Sequence, residues 1–376
     1  MFRSRLLLLG ALAMALLTAS ACGESVTSRD SAAGANEEST EAQKVYDKLN
    51  SLPPDRQRAE ALKLAKEQEG GQLTLYTGWS PLLLDDLVEA FEKDTGVEIR
   101  EWRGGGDDLR ERVLQEASAG RLAADAVLGG TSSQFDIAHA GLFAPYDGAR
   151  RAKVVERGRF DTWTAAAYTL IVPAWNTKLI KPGQEPRSWE DLASGRYKGK
   201  MAIDVADWYW YAAVSQDWRK QGKSQAEVDR LWQRIGADSQ VVQGHTATQT
   251  RMAAGNLALY ADAYSPSIET LRKEKGAPLS FRLKDGSVPV RAFAKSDGVG
   301  LTKSAEHPAA AWLFADWLLD EGQKIIEATG QPTSTEQSQS PDTLGDIPLL
   351  PVSEQQIWDE RAKWQREYDE LLRGVR

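Results

Sequence analysis

From Gly71 onward the chain switches between two hydrophobic periods. Leu73 and Leu75 alternate with Thr74 and Tyr76, which predicts a strand over Gly71–Trp79. Ser80-Pro81 then reads as an N-cap with proline in the first helical turn, and Leu84, Leu87, Val88 and Phe91 follow at helical spacing. Gly96 closes that helix and Val97-Glu98-Ile99 opens a second strand. Gly104-Gly105-Gly106 leads into a helix over Asp107–Ala119. Ala124–Leu128 makes a third strand, and Gly129-Gly130-Thr131-Ser132-Ser133 opens the next helix. This β-α-β-α-β-α order argues for an α/β fold with a mostly parallel sheet covered by helices. Further strands are predicted at Tyr168–Pro173, Lys200–Ile203, Leu257–Ala261 and Gly298–Leu301, and helices at Ser188–Leu192, Ser224–Ile235 and Thr246–Ala254. One long amphipathic helix is expected over Pro308–Ala328, with Trp312, Leu313, Trp317 and Leu318 facing the core, and a last one from about Ser353 to Leu372.

The pattern before Gly71 is different. Glu41–Asn50 and Pro54–Gln68 read as two helices broken at Pro53-Pro54. Gly23–Thr40 offers almost nothing to bury and reads as a flexible tether. Leu6–Leu17 is apolar and follows Arg3 and Arg5. As a helix it would rise about 18 Å, too short for a bilayer core of about 30 Å, so it reads as a secretory h-region. It ends in Ala19-Ser20-Ala21-Cys22-Gly23. That run resembles the bacterial lipobox, whose cysteine becomes the lipid-bearing N-terminus; more than one lipid chain gives stable anchoring. The alternative is an ordinary signal peptide with a cysteine near its cleavage site. The expected division is residues 1–21 as signal peptide, 22–40 as tether and 41–71 as N-terminal helices, followed by two medium domains.

Charge and cysteine usage narrow the classes. The formal charge is −8, and loss of residues 1–21 removes Arg3 and Arg5 but no acid, leaving about −10. A net acidic chain without a basic run argues against nucleic-acid binding but leaves the sign of a cleft open. Cys22 is the one cysteine, which excludes an internal disulfide. There is no Gly-x-Ser-x-Gly elbow and no His-Glu-x-x-His, and Gly195–Met201 fails the P-loop pattern in spacing and in its last residue. No enzyme, cofactor or metal is expected. An envelope enzyme or adhesin is the alternative of another class.

A set of short segments carries a family resemblance. They are Leu75-Tyr76-Thr77, Ala90-Phe91-Glu92 with Thr95-Gly96-Val97, Gly141–Tyr146, Trp175-Asn176-Thr177, Pro186–Leu192, Tyr197–Lys200, Gly276-Ala277-Pro278, His307–Ala311, Gly322-Gln323 and Gln331-Pro332. In this order and spacing the chain resembles the bacterial periplasmic solute-binding proteins of the iron(III) and family 1 type that serve ABC importers. The resemblance implies a type 2 periplasmic-binding-protein fold: two α/β lobes, a hinge and an inter-lobe cleft. It implies chain crossings near Ala167–Pro173 and Val288–Val299, lobe one over 72–168 plus 290–325, and lobe two over 169–289 plus 326–376. The implied partners are a small-molecule ligand, a membrane permease and its ATPase, and the membrane through the lipid anchor; the protein itself is expected to be a monomer.

Ligands of open α/β sheets bind beyond the carboxyl ends of the strands. Thr77-Gly78-Trp79-Ser80, Arg103-Gly104-Gly105-Gly106 and Gly129-Gly130-Thr131-Ser132 are expected there, each leading into a helix whose free N–H groups suit an anion. Each is also an ordinary βα turn. The candidate ligand-binding residues from this side are Thr77, Trp79, Ser80, Arg103, Gly130, Thr131 and Ser132. Asp207-Trp208-Tyr209-Trp210-Tyr211 follows a strand, and four aromatics in a row are not expected to share one core, so Asp207, Trp208 and Tyr209 are candidates for the cleft, with packing inside the lobe as the alternative. His245 either donates to an anion or sits satisfied in the interior. Tyr264 lies where the resemblance brings aromatic residues to the ligand. Ferric members of the family carry an adjacent Tyr-Tyr pair there, whereas this chain has Asp262-Ala263-Tyr264-Ser265-Pro266, and Trp79 stands where some have histidine. A hard ferric ion is left short of phenolate and imidazole ligands, so an organic solute is expected over bare iron.

Overall fold

The computed structural model describes residues 40–335 and 343–375; the expected signal peptide, Cys22 and the expected tether before Thr40 lie outside the described residues. Two helices come first, α1 (Glu41–Ser51) and α2 (Pro54–Glu67), the first capped by the Thr40 hydroxyl. The alternation then runs β1 (Gln72–Thr77), α3 (Pro81–Thr95), β2 (Glu98–Arg103), α4 (Gly106–Ser118), β3 (Ala126–Gly130), α5 (Thr131–His139) and the short β4 (Phe143–Ala144). β5 (Trp163–Asn176) follows, buried along its whole length. After it come β6 (Met201–Asp204), α6 (Trp208–Lys220), α7 (Gln225–Asp238), β7 (Ser239–Val242), α8 (His245–Ala253), β8 (Leu259–Tyr264), α9 (Ser265–Lys275) and β9 (Leu279–Ser280). β10 (Phe293–Thr302), α10 (Pro308–Leu318), α11 (Glu321–Ala328), the hairpin β11 (Thr343–Leu344) with β12 (Ile347–Pro348), α12 (Glu354–Asp359) and α13 (Arg361–Val375) complete the chain.

Ten strands form one sheet with the order β2-β1-β3-β10-β5-β8-β6-β7, β4 and β9 lying off this path. Its two wings are parallel, β2-β1-β3 on one side and β8-β6-β7 on the other. The long antiparallel pair of β5 and β10 joins them. β5 pairs with β10 through Trp163–Ile171 and with β8 through Ile171–Trp175, so one strand serves both wings. The register of β5 on β10 shifts between Asp297 and Gly298, where a Cβ on Gly298 would lie 2.2 Å from the Thr164 carbonyl oxygen. Only glycine permits that approach.

Three expectations fail, each for a physical reason. The helix expected over Pro308–Ala328 is two helices, α10 and α11, broken at Leu319-Asp320. α10 is buried on every face, so a single amphipathic stripe was the wrong description of it. The last helix is likewise two, α12 and α13. The aromatic run opens α6, where successive residues point about 100° apart, and neighbours cover α6 on several sides. Trp210 meets Trp189 and Trp232; Tyr211 meets Trp232, Trp364 and Tyr368 of α13; Tyr209 stacks on Trp358 of α12. Three of the four rings are therefore buried and Trp208 is half-buried.

Candidate functional site

The carboxyl ends of β1 and β8 face a cavity of about 580 Å³ between the two wings of the sheet. From the first wing it is lined by Gly78, Trp79, Ser80, Leu83 and Asp86, at the start of α3. From the second it is lined by Tyr264 and by Pro266, Ser267, Thr270 and Lys273, a polar stripe along α9 at helical spacing. Thr169 of β5, Asp297 of β10, Ala328 at the end of α11 and Thr329 and Gln331 beyond it complete the lining. Neither α3 nor α9 has a side-chain cap hydrogen bond or an acid in its first turn. Both helices therefore leave the positive ends of their dipoles uncompensated beside the cavity.

Tyr264 is fixed by a polar network behind it. Its hydroxyl lies 3.3 Å from Asp207 Oδ1 and accepts from Lys295 Nζ at 3.3 Å. The His245 ring stacks on it at 3.6 Å, with Nε2 3.3 Å from Asp207 Oδ1 and Nδ1 2.9 Å from the Tyr260 hydroxyl. Gly244 turns the chain into α8 at φ 90°, a conformation glycine takes readily, and its N–H donates to Asp204 Oδ2 at 2.7 Å. Asp262 Oδ2 accepts from the Asp204 N–H at 2.8 Å. Three carboxylates thus crowd one buried spot. Burial, followed by the charge on Asp207, holds the Asp262 carboxyl well above the usual carboxylate range. Burial and then the charge on Asp207 raise the Tyr264 phenol as well.

Asp297 closes the floor. Its Oδ2 accepts from the Thr169 hydroxyl at 2.6 Å and from Gln331 Nε2 at 3.4 Å. Burial raises this carboxyl too, against the nearby charge of Lys295.

The structure sorts the sequence candidates into three groups. Trp79, Ser80 and Tyr264 line the cavity. Asp207 and His245 stand behind Tyr264, and the Thr77 hydroxyl accepts from the Trp79 N–H at 3.0 Å, so these three shape the site from within. The rest are placed elsewhere. Arg103 is exposed and reaches the Trp79 carbonyl at 3.4 Å. Thr131 is buried, its hydroxyl 2.7 Å from the Ser296 carbonyl oxygen and 2.6 Å from Glu354 Oε2. Glu354 also accepts at 3.0 Å from the Ser296 N–H, and it lies at the start of α12. The start of α5 is therefore covered by the chain's own Glu354 carboxyl group. Ser132 and Gly130 flank that contact; a Cβ on Gly130 would lie 3.1 Å from Asp297 Oδ1. Trp208 stacks on Tyr209 at 3.7 Å, and Tyr209 on Trp358, away from the cavity lining. The sequence reading missed Thr169, Lys273, Asp297 and Gln331. Only the Ser267-Thr270-Lys273 stripe, directly after Tyr264, carried a legible signal.

A family model described as bacterial extracellular solute-binding protein matches residues 86–352. The chain belongs to that family. Among curated proteins, it is 25% identical over 295 residues to an Fe(3+)-binding periplasmic protein of Serratia marcescens, covering 74% of this chain and 84% of the relative. Among solved structures, it is similar to iron-bound HitA from Pseudomonas aeruginosa, with a TM-score of 0.66 and 20% identity over 79% of this chain and 99% of the other. The periplasmic binding protein AfuA from Actinobacillus pleuropneumoniae, with fructose-6-phosphate bound, matches at a TM-score of 0.62 and 21% identity over 80% of this chain and 98% of the other. The two-lobed periplasmic-binding-protein fold, with a hinge and an inter-lobe cleft, is thus the fold of this protein. Among the described residues no helix is long and apolar enough to cross a membrane.

Proposed function

We propose that this family member is the capture subunit of an ABC importer and takes a small polar organic solute into the cleft. The supporting observation is the cavity of about 580 Å³ walled from both wings of the sheet, with Tyr264 between them. A solute touching both walls binds the closed state better, and that difference alone drives closure around β5 and β10. The lobes are taken as 72–168 plus 290–325 and 169–289 plus 326–376, and the closed form is handed to a membrane permease with its ATPase.

Ferric iron is the second reading, favoured by the Fe(3+)-binding relative and the iron-bound structural neighbour. The organic reading is preferred because of what holds Tyr264. Its phenol is raised by burial and by the neighbouring charge of Asp207, which opposes the phenolate that iron needs, and no second tyrosine adjoins it in Asp262-Ala263-Tyr264-Ser265-Pro266. Ferric citrate titrated into apo-protein is expected to give no tyrosinate charge-transfer band. A stoichiometric visible band that disappears in Tyr264→Phe establishes the iron reading instead.

The Ala19-Ser20-Ala21-Cys22 run supports attachment to the membrane through lipid on Cys22. Fractionation of cells expressing full-length Cys22→Ser is expected to find the protein released. Membrane retention equal to wild type overturns the anchor.

A further inference from the structure

We infer that α12 straps the two lobes together on one face of the sheet, so that they part and close only on the face that holds the cavity. This goes beyond the proposed function, since it concerns how the lobes move whether or not a solute binds. The two faces are built differently. On the cavity face each lobe keeps its own core. α3 packs Leu84, Leu87 and Phe91 into the core of the first wing, and α9 packs Ile268 and Leu271 into that of the second. The cavity lies between them. On the opposite face one core runs through both lobes. It joins Val113 of α4 and Phe135 of α5 to Trp210 of α6 and Trp232 of α7, and Ile357 and Trp358 of α12 belong to it. The strands divide accordingly. In β3, Ala126 and Leu128 meet the first lobe's core and Val127 the shared one; in β6, Ala202 meets the second lobe's core and Met201 and Ile203 the shared one.

α12 makes the join. Its buried Glu354 bonds the Thr131 hydroxyl of α5 and both the N–H and the hydroxyl of Ser296 in β10. Ser296 precedes Asp297, so neighbouring residues of one crossing strand serve the strap and the cavity lining. The buried Trp358 is stacked between Phe135 of the first lobe and Tyr209 of the second. On either side of α12, the Lys220 ammonium of α6 donates to the Pro351 carbonyl and the Tyr368 hydroxyl of α13 donates to the Asp204 carbonyl, which anchors the strap in the second lobe. Parting the lobes on this face strands a buried carboxyl group and its donors and brings an indole into water. Parting them at the cavity separates two cores that already stand apart. The hinge therefore opens on one side, and a solute enters past α3 and α9.

The test is a pair of inter-lobe distances between nitroxide labels, measured by double electron–electron resonance. It uses Cys22→Ser protein refolded from denaturant to strip any bound solute. One pair, Glu89→Cys with Lys275→Cys, spans the cavity face from exposed sites on α3 and α9. The other, His139→Cys with Arg219→Cys, spans the strapped face from exposed sites on α5 and α6. The first distance distribution is expected to be roughly twofold or more wider than the second. Trp358→Ala should widen the second to about the width of the first. Glu354→Ala should widen it in the same direction, and with the wild-type comparison it decides the matter if Trp358→Ala fails to fold. Equal widths for the two pairs in wild type overturn the inference, as does a second distribution that the folded variants leave unchanged. No solute is present, so either outcome leaves the capture reading to its own titrations.

Discussion

Two turns of this molecule are nearly interchangeable on paper and opposite in surroundings. Thr77-Gly78-Trp79-Ser80 and Gly129-Gly130-Thr131-Ser132 each end a buried parallel strand and open a helix. The first leaves its helix start open to a cavity, with Ser80 exposed and making no cap bond. The second is filled by Glu354, 223 residues away along the chain. Both turns open a helix, and at one of them the protein's own Glu354 carboxyl group takes the space, held by the Thr131 hydroxyl. A helix N-terminus becomes a ligand site only where the rest of the chain leaves it empty.

The same contrast separates structure from function in α12. Glu354 ties it to Thr131 and Ser296, and Trp358 stacks between Phe135 at 5.4 Å and Tyr209 at 5.8 Å. One short helix thereby clamps α5 of the first wing to α6 of the second. Disturbing the filled turn should therefore cost stability, and disturbing the open one should cost affinity.

The largest effect is expected for Trp358→Ala. Truncating a buried tryptophan costs about 3–5 kcal/mol. At roughly 2 °C per kcal/mol that lowers the melting temperature by about 6–10 °C. Glu354→Ala should follow at about 3 kcal/mol, since it strands the Thr131 hydroxyl and the Ser296 N–H, and Glu354→Gln should recover most of the loss. Calorimetric melting checks both; a shift under about 1 °C for either alanine variant refutes the clamp.

A pH dependence sharpens the point. Burial raises the carboxyls of Glu354, Asp297 and Asp262 in the fold. Each therefore holds a proton in the folded chain at a pH where the unfolded chain, with carboxyl pKa values near 4, has released it. Their contribution to stability is complete below the unfolded pKa and is lost as pH rises through the folded one. Denaturant unfolding at a series of pH values from 4 upward should show this decline, and Glu354→Gln or Asp262→Asn should flatten part of it. An equal slope in the variants contradicts the assignment.

Much of the fold was legible because both hydrophobic periods were clean. β1 and α3, and the α1–α2 break at Pro53, fall close to where periodicity and proline put them. β5 was seen only in its middle, since a strand buried on both faces carries no alternation. α6 was missed as a helix because four consecutive aromatics mask any stripe. In the site, Trp79, Ser80 and Tyr264 were legible as residues ending strands or starting helices. Asp297 and Thr169 were not, since they sit inside the crossover strands and reach the cavity only through the pairing of β5 with β10. The plug on Thr131 was not legible either, because nothing local to the turn announces Glu354.

The account's central claim is that the open turn binds and the filled turn supports. One paired measurement tests it: a solute that binds wild type is titrated into Ser80→Ala and Thr131→Val, with melting recorded for each. Ser80→Ala should bind roughly three- to tenfold more weakly, the loss of one hydrogen bond, while its stability stays within about 0.5 kcal/mol of wild type. Thr131→Val should keep wild-type affinity while losing about 1–2 kcal/mol of stability. Weakened binding in Thr131→Val, with Ser80→Ala unchanged in affinity, contradicts it.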